Sequence, residues 1–263
     1  MAYHFLEVEK DGNVGIITIN NPPRNGFSIG MIQDMLQIFN DFELNDSIRA
    51  VMLKSTGPNF SQGYDAFDMS RAMTADNLSL EAYKIFSDHG LMAKIETYPK
   101  PTLVAARGMC VEGSAALFNV FDIRIVSENF YIKDTDIYSG HIGIYGINNV
   151  RLPIWIGRNK IMDYVFLDEG FNGHQAYELG IASKVVPNDM LDEMALLVAK
   201  KMATAAPVAV RYFKECIRKS IYQNLNSVLD FERKATAIVS KTQDAKDGIL
   251  AYVKGEQIEF QGK

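Results

Sequence analysis

Cysteine is scarce: Cys110 and Cys216 are the only two, far apart and without histidine or cysteine partners at metal-ligand spacing. That excludes a disulfide framework and a structural zinc, and both read as free thiols of a reducing compartment. Positive charge is short as well. Lys and Arg number 27 against 32 Asp and Glu, a net charge of −5, so no chain-wide basic field draws nucleic acid or acidic lipid. No apolar run is long enough to cross a bilayer. The start, Met1 to Lys10, lacks the basic and then apolar stretches of a secretory signal. The expectation is a soluble cytoplasmic protein with no nucleic-acid and no membrane partner. Other absences concern chemistry. There is no phosphate-loop Gly-Lys-Ser, no dinucleotide glycine fingerprint and no Gly-x-Ser-x-Gly elbow. His4, His89, His141 and His174 are scattered, so no metal site is expected.

What is present is a full complement of core-forming residues: 48% hydrophobic against 22% charged, enough for a folded domain of this size. Phe5–Lys10 and Val14–Asn20, joined at Asp11-Gly12, read as a hairpin. Ser28 is placed to cap a helix whose Met31, Ile32, Met35, Leu36, Phe39 and Phe42 recur at three- and four-residue steps. Strands are expected at Ile48–Lys54, Thr102–Ala106 and Ile123–Val126. Polar or glycine-containing loops are expected at Thr56–Asp65 and Gly108–Gly113. Leu78–Glu96 and Ser114–Phe121 carry helical patterns. This alternation predicts an α/β fold. After about Arg151 the pattern is almost wholly helical, interrupted by one short strand at Ser183–Val186. The division read from the sequence is an α/β core over 1–190 and a helical region over 191–263. The helical part has no obvious core of its own and must pack on the first part or on another subunit.

Two loops bear on function, Asn59-Phe-Ser-Gln-Gly-Tyr-Asp65 and the segment from Gly108 to Leu117. Each joins a strand to a helix start, where backbone N–H groups can be aimed at a negative oxygen. Two such donors suffice to hold an enolate or a tetrahedral oxyanion.

The order of these segments also resembles a known family. Asn20-Asn-Pro-Pro-Arg-Asn-Gly-Phe-Ser28, Phe60-Ser-Gln-Gly-Tyr-Asp65, Lys100-Pro-Thr-Leu-Val-Ala-Ala-Arg-Gly108, Glu112-Gly-Ser-Ala-Ala-Leu117 and Asp122-Ile-Arg-Ile125 follow one another. Arg151-Leu-Pro153 and the segment from Ala176 to Pro187 come next. Together they resemble the enoyl-CoA hydratase/isomerase (crotonase) superfamily across nearly the whole chain. The resemblance implies a crotonase-like fold of repeated ββα units with a C-terminal helical trimerisation region, assembled as a homotrimer or a hexamer. It implies an acyl-CoA substrate, with CoA carried by the substrate and no separate cofactor or metal. The backbone N–H groups of Tyr64 and Gly113 fall on the two oxyanion donors. Arg24, Asn25, Phe27, Gln62, Asp65 and Ala66 fall along the CoA groove. Lys254 in the last helix is a weaker candidate.

The same resemblance exposes departures. The family's first catalytic glutamate lies three residues beyond the second oxyanion glycine, and here that position is Ala116. A methyl group moves no proton. Tyr64 stands where the family commonly places a small residue, so its ring would narrow the pocket or offer a phenol. For the second acid, counting forward from Phe130 gives Asp134 and counting back from Gly146 gives Tyr138, with His141 close behind. All three remain candidates for proton transfer. Glu112 either enters the pocket or serves as a charge at a helix start. The leading expectation is a thioester enzyme working through a stabilised enolate. The alternatives are a C–C bond hydrolase of a β-diketone, a thioester decarboxylase and a non-catalytic binding subunit.

Overall fold

The computed structural model describes residues 3–65, 90–134, 136–140 and 147–263, with the backbone alone for Ser139, Ile147 and Asn148. The expected hairpin forms from β1 (Leu6–Asp11) and β2 (Val14–Ile19), paired antiparallel from Leu6↔Ile19 to Asp11↔Val14. Gly12 supplies the positive φ of 58° that its two-residue turn requires. Strands β3 (Ala50–Ser55), β4 (Thr102–Ala106), β6 (Ile123–Ser127) and β9 (Lys184–Val186) continue this sheet in parallel, giving six strands in the order β1-β2-β3-β4-β6-β9.

Burial explains why the central strands β2, β3 and β4 are apolar at most positions. Alternate side chains point to opposite faces, and both faces of the central strands are covered. Ile17, Ile19, Leu53, Val104 and Val126 face one side, where helix α1 (Ile29–Leu44) packs Met31, Ile32, Met35, Ile38 and Phe39. Ser28 accepts a hydrogen bond from the Met31 N–H, so the expected cap is in place. Val14, Ile16, Met52, Leu103, Ala105 and Ile125 face the other side. Their cover is Leu191, Ala195, Ala199 and Ala203, on and just after a later helix, Leu191–Met202. The first helix after residue 190 is therefore a layer on the sheet.

A second sheet was not legible as such. The segment expected as a loop at Gly108–Gly113 contains β5 (Met109–Val111), which pairs in parallel with β7 (Tyr131–Lys133). β7 pairs antiparallel with β8 (Phe171–Asn172), making three strands in all. Strands of two or three residues are too short for any periodicity to announce them. Helix α2 (Leu91–Glu96) begins after Gly90, whose φ of −113° and ψ of −141° are not helical, so the helix expected over Leu78–Glu96 does not run unbroken; residues 78–89 lie outside the described residues. Helix α3 (Gly113–Asn119) is buried along its whole length. Arg151 is tied by a bidentate pair to Glu96, both contacts at 2.8 Å. Short helices α4 (Leu152–Ile156), α5 (Arg158–Phe166) and α6 (Gly173–Glu178) follow, and then α7, the Leu191–Met202 helix above.

The remaining helices α8 (Pro207–Tyr222), α9 (Leu225–Val239) and α10 (Gln243–Lys254) lie in the region after Arg151 whose pattern is almost wholly helical. They leave apolar side chains in solvent, among them Phe213, Ile217, Leu225, Ile249 and Tyr252. An apolar cleft of about 620 Å³ lies between α8 and the core, lined by Val120, Trp155, Phe213, Ile217 and Ile221. Cys110 is buried and Cys216 half-buried, both free. No helix among the described residues is long and apolar enough to cross a membrane.

Two glycines with positive φ should respond differently to a methyl group. At Gly12 an added Cβ meets open space, whereas at Gly108 it would stand 2.1 Å from the Pro58 carbonyl oxygen. Gly12→Ala should cost about 1–2 kcal/mol, the ordinary cost of the left-handed conformation. Gly108→Ala adds a backbone displacement, roughly 1–3 kcal/mol more. Urea denaturation of the two variants measures the difference, and equal midpoints would remove the proposed crowding.

Candidate active site

The segment Phe60–Asp65 runs between two others and is gripped from both. On one side the Phe60 N–H donates to Arg107 O (2.7 Å), the Ser61 N–H to Met109 O (3.1 Å), and the Val111 N–H to Ser61 O (3.3 Å). On the other the Gln62 N–H donates to Arg24 O, the Phe27 N–H to Gly63 O and the Asp65 N–H to Phe27 O, each at 3.0 Å. Phe27↔Tyr64 and Ser61↔Cys110 are thus parallel bridges. In this pattern Phe27 uses both of its peptide groups on the neighbours of Tyr64. The N–H of Tyr64 itself points the opposite way, as alternation along an extended chain requires.

The Tyr64 side chain reaches helix α3. An L-side chain on Gly113 would place its Cβ 2.1 Å from the Tyr64 Cζ and Oη, so the phenol ring lies directly on this glycine. Gly113 opens α3, and N–H groups of a first helical turn have no partner within the helix. The Tyr64 side chain thus touches the residue expected to carry the second oxyanion donor. The ring of Tyr64 is half-buried, its hydroxyl is enclosed, and Phe27 meets it edge-on with centroids 6.3 Å apart. Ala116 is buried and three residues along the helix from Gly113, hence on the same face.

Asn25 has a structural task. Buried and at φ 51°, it accepts from the Asn21 N–H (2.9 Å) and donates to Thr56 O (2.8 Å) and Asn59 O (3.1 Å). Its carboxamide locks the first loop to the second. The N–H groups of Phe27, Gln62 and Asp65 are likewise committed to the bridges, so any groove along this segment must use other groups. The Arg24 side chain is exposed, and Gln62 and Asp65 are half-buried. Ala66 and His141 lie outside the described residues.

The expected acid/base candidates separate. Asp134 is buried at the end of β7, and its Oδ1 accepts from the Asp136 N–H at 3.0 Å. Tyr138 is 59% exposed, and its hydroxyl donates to Phe166 O at 2.8 Å, so the structure does not bring it beside Asp134. Asp136, which the sequence reading passed over, has the most perturbed carboxyl here. Burial, then the neighbouring Asp134 charge and then Glu112, push it up to about 7. It lies midway between the two positions that counting reached, and only its burial sets it apart. Tyr164 on α5 was also missed. Its ring stacks on Phe171 with centroids 4.9 Å apart, and its buried hydroxyl has no hydrogen-bond partner among the described residues. Burial and, next, the Asp134 charge raise this phenol. No cluster of His, Cys, Asp or Glu among the described residues could hold a metal ion.

The model of the Enoyl-CoA hydratase/isomerase family matches residues 9–263. A short-chain-enoyl-CoA hydratase of Clostridium acetobutylicum is 26% identical over 263 residues, covering 98% of both chains. A putative enoyl-CoA hydratase of Thermus thermophilus is 29% identical over 249 residues, 94% of this chain and 96% of that protein. Among solved structures, an enoyl-CoA hydratase from Bacillus anthracis superposes with a TM-score of 0.92 at 25% identity, covering 99% and 100%. DspI of Pseudomonas aeruginosa, 24% identical over 96% and 95% of the chains, shares the fold with a TM-score of 0.89.

The raised Asp136 carboxyl has a consequence for stability. Its proton stays on in the folded state up to about pH 7, whereas an unfolded aspartate releases it near 3.8. The folded state is the better proton binder in that window, so stability falls as pH rises through it. Asp136→Asn should lose less stability between about pH 5 and about pH 8 than the parent does. Chemical denaturation at the two pH values checks this, and parallel losses would contradict it.

Proposed function

Because the chain belongs to the enoyl-CoA hydratase/isomerase family, with the crotonase-like α/β fold, we propose that it acts on an acyl-CoA thioester through an enolate. The thioester oxygen sits between the N–H groups of Tyr64 and Gly113. The observation that supports this reading is the double grip on Phe60–Asp65, which spends the Gly63 carbonyl and the Asp65 N–H on Phe27 and so turns the Tyr64 N–H away from it, while the Tyr64 ring lies on Gly113. Donors built into the backbone need no reorganisation as charge develops, and each is worth about 3 kcal/mol in the transition state.

Proton transfer falls to the Asp134–Asp136 pair. Asp134 fixes the main chain of Asp136 by accepting its N–H. Asp136, pushed up to about 7, is poised to give or take a proton near neutral pH. Tyr138, spent on the Phe166 carbonyl, is the weaker donor. The Tyr64 ring over Gly113 is a wall of the acyl pocket and restricts the thioester to slim acyl groups. Arg24, exposed at the end of the first loop, is available to the phosphates of CoA. The apolar faces of α8, α9 and α10 are read as subunit contacts of a homotrimer or hexamer in the cytoplasm.

Turnover of a panel of enoyl- and acyl-CoA thioesters tests the reading. Asp136→Asn should lower kcat by about 10²–10⁴-fold with little change in KM, the pattern of a group acting in the transition state. An ester in place of the peptide between Glu112 and Gly113 removes one N–H and adds no Cβ. It should cost about 10²–10³-fold in kcat. Retained turnover in both would end the proposal. Light scattering should give the mass of a trimer or hexamer, and a monomer would refute the assembly.

A further inference from the structure

Glu112 is held at φ 52° and ψ −125°, a conformation ordinarily left to glycine. Its N–H donates to Lys133 O at 3.0 Å, and its carbonyl accepts from Ala115 at 2.9 Å and Ala116 at 3.2 Å. These bonds fix the turn, and a glycine would meet them without strain. The glutamate side chain adds a carboxyl group at this turn. It lies across Gly63, where an added Cβ would stand 2.7 Å from Glu112 Oε2. The carboxylate is therefore beside the residue that precedes Tyr64 and immediately before Gly113. A separate observation marks this region as a place for a polar ligand: the Tyr164 hydroxyl is fully buried, has no partner among the described residues, and feels both Asp134 and Asp136.

We propose that Glu112 is a proton-transfer residue of this site, the carboxylate partner of Asp136 that Ala116 cannot supply. The assignment rests on the thioester reading above. In hydration of an enoyl thioester, the Glu112 carboxylate takes a proton from water as the water oxygen bonds to the β-carbon. The π pair of the double bond moves through the α-carbon onto the thioester oxygen between Tyr64 and Gly113. As the enolate collapses, the α-carbon takes the proton of the Asp136 carboxyl. Water has then been added across the double bond, and a proton passing from Glu112 to Asp136 through solvent restores the pair. The Glu112 charge also favours this division of labour, since it helps keep Asp136 protonated. The titratable groups facing Asp136 among the described residues are Asp134 from β7, Glu112 from the turn before α3 and Tyr164 from α5.

Two readouts on the full chain separate the roles: hydration of crotonyl-CoA, and deuterium uptake at the α-carbon of saturated butyryl-CoA in heavy water. The second needs Asp136 and the oxyanion donors but no water addition. Glu112→Gln and Glu112→Gly should each lower kcat for hydration by about 10²–10⁴-fold with KM little changed, while α-exchange persists. The pH at which residual hydration fails should move lower, because Asp136 loses a neighbouring negative charge. Glu112→Gly relieves the backbone and should melt no lower than the parent, which guards against a folding defect. Hydration at the parental rate in either variant overturns the assignment, as does loss of exchange in step with hydration. In both cases the thioester reading stands if Asp136→Asn abolishes exchange. A parent protein that neither hydrates nor exchanges would overturn both.

Discussion

Everything at the candidate site depends on six main-chain hydrogen bonds that grip the Phe60–Asp65 segment from its two sides. A strand bonded on both edges has one freedom left, the alternation of its peptide groups, and that alternation fixes where the Tyr64 N–H points. The same bonds join the loop after β2 to the loop after β3 and to the small sheet. The two sheets are thereby held at the distance the site needs. Side chains reinforce the arrangement: Asn25 ties the first two loops, and the Ser114 hydroxyl reaches Ser61 O at 3.1 Å.

Within this frame the site trades one side chain against another. The helix position that lacks a carboxylate, Ala116, lies on the face where the Tyr64 ring covers Gly113. Carboxyl groups gather after β7, in Asp134 and Asp136, and the Glu112 charge bears on Asp136. Gathering like charges in a place shielded from water is unfavourable unless one of them keeps its proton, and Asp136 is the one that does. The family resemblance and the departures from it are compatible for this reason. A backbone oxyanion site of the proposed kind is independent of side-chain identity, so the proposed proton-transfer groups can sit on another element.

The helical region divides in the same physical terms. Helix α7 presents Leu191, Ala195 and Ala199 to the sheet and leaves Leu197 exposed. Helices α8 to α10 carry equally regular amphipathic patterns, yet Phe213, Ile217, Leu225 and Tyr252 remain in solvent. Periodicity states that a face is apolar and leaves open what covers it.

The long, regular elements were legible in the residues themselves. The hairpin at Gly12, the Ser28 cap, the parallel strands and the C-terminal helices each follow from local chemistry: turn conformation, capping, and a period of two or of three to four. The ordered motifs from Asn20 to Pro187 were enough to place the chain in its family. Other features belong to the tertiary structure alone. Strands β5, β7 and β8 are two or three residues long and exist only because partners supply their hydrogen bonds. Asp134, Asp136 and Tyr138 are polar residues within one five-residue stretch, and nothing in the sequence says which is buried. The structure encloses Asp134, half-buries Asp136 and turns Tyr138 outward to Phe166. For Glu112 the sequence leaves open a pocket residue or a charge at a helix start, and only the structure shows its positive φ and its position over Gly63. Periodicity and propensity are local properties of the chain, and the folding free energy records them locally. The pKa of a carboxyl depends on dielectric and charge within a few ångströms, and those neighbours are distant in sequence.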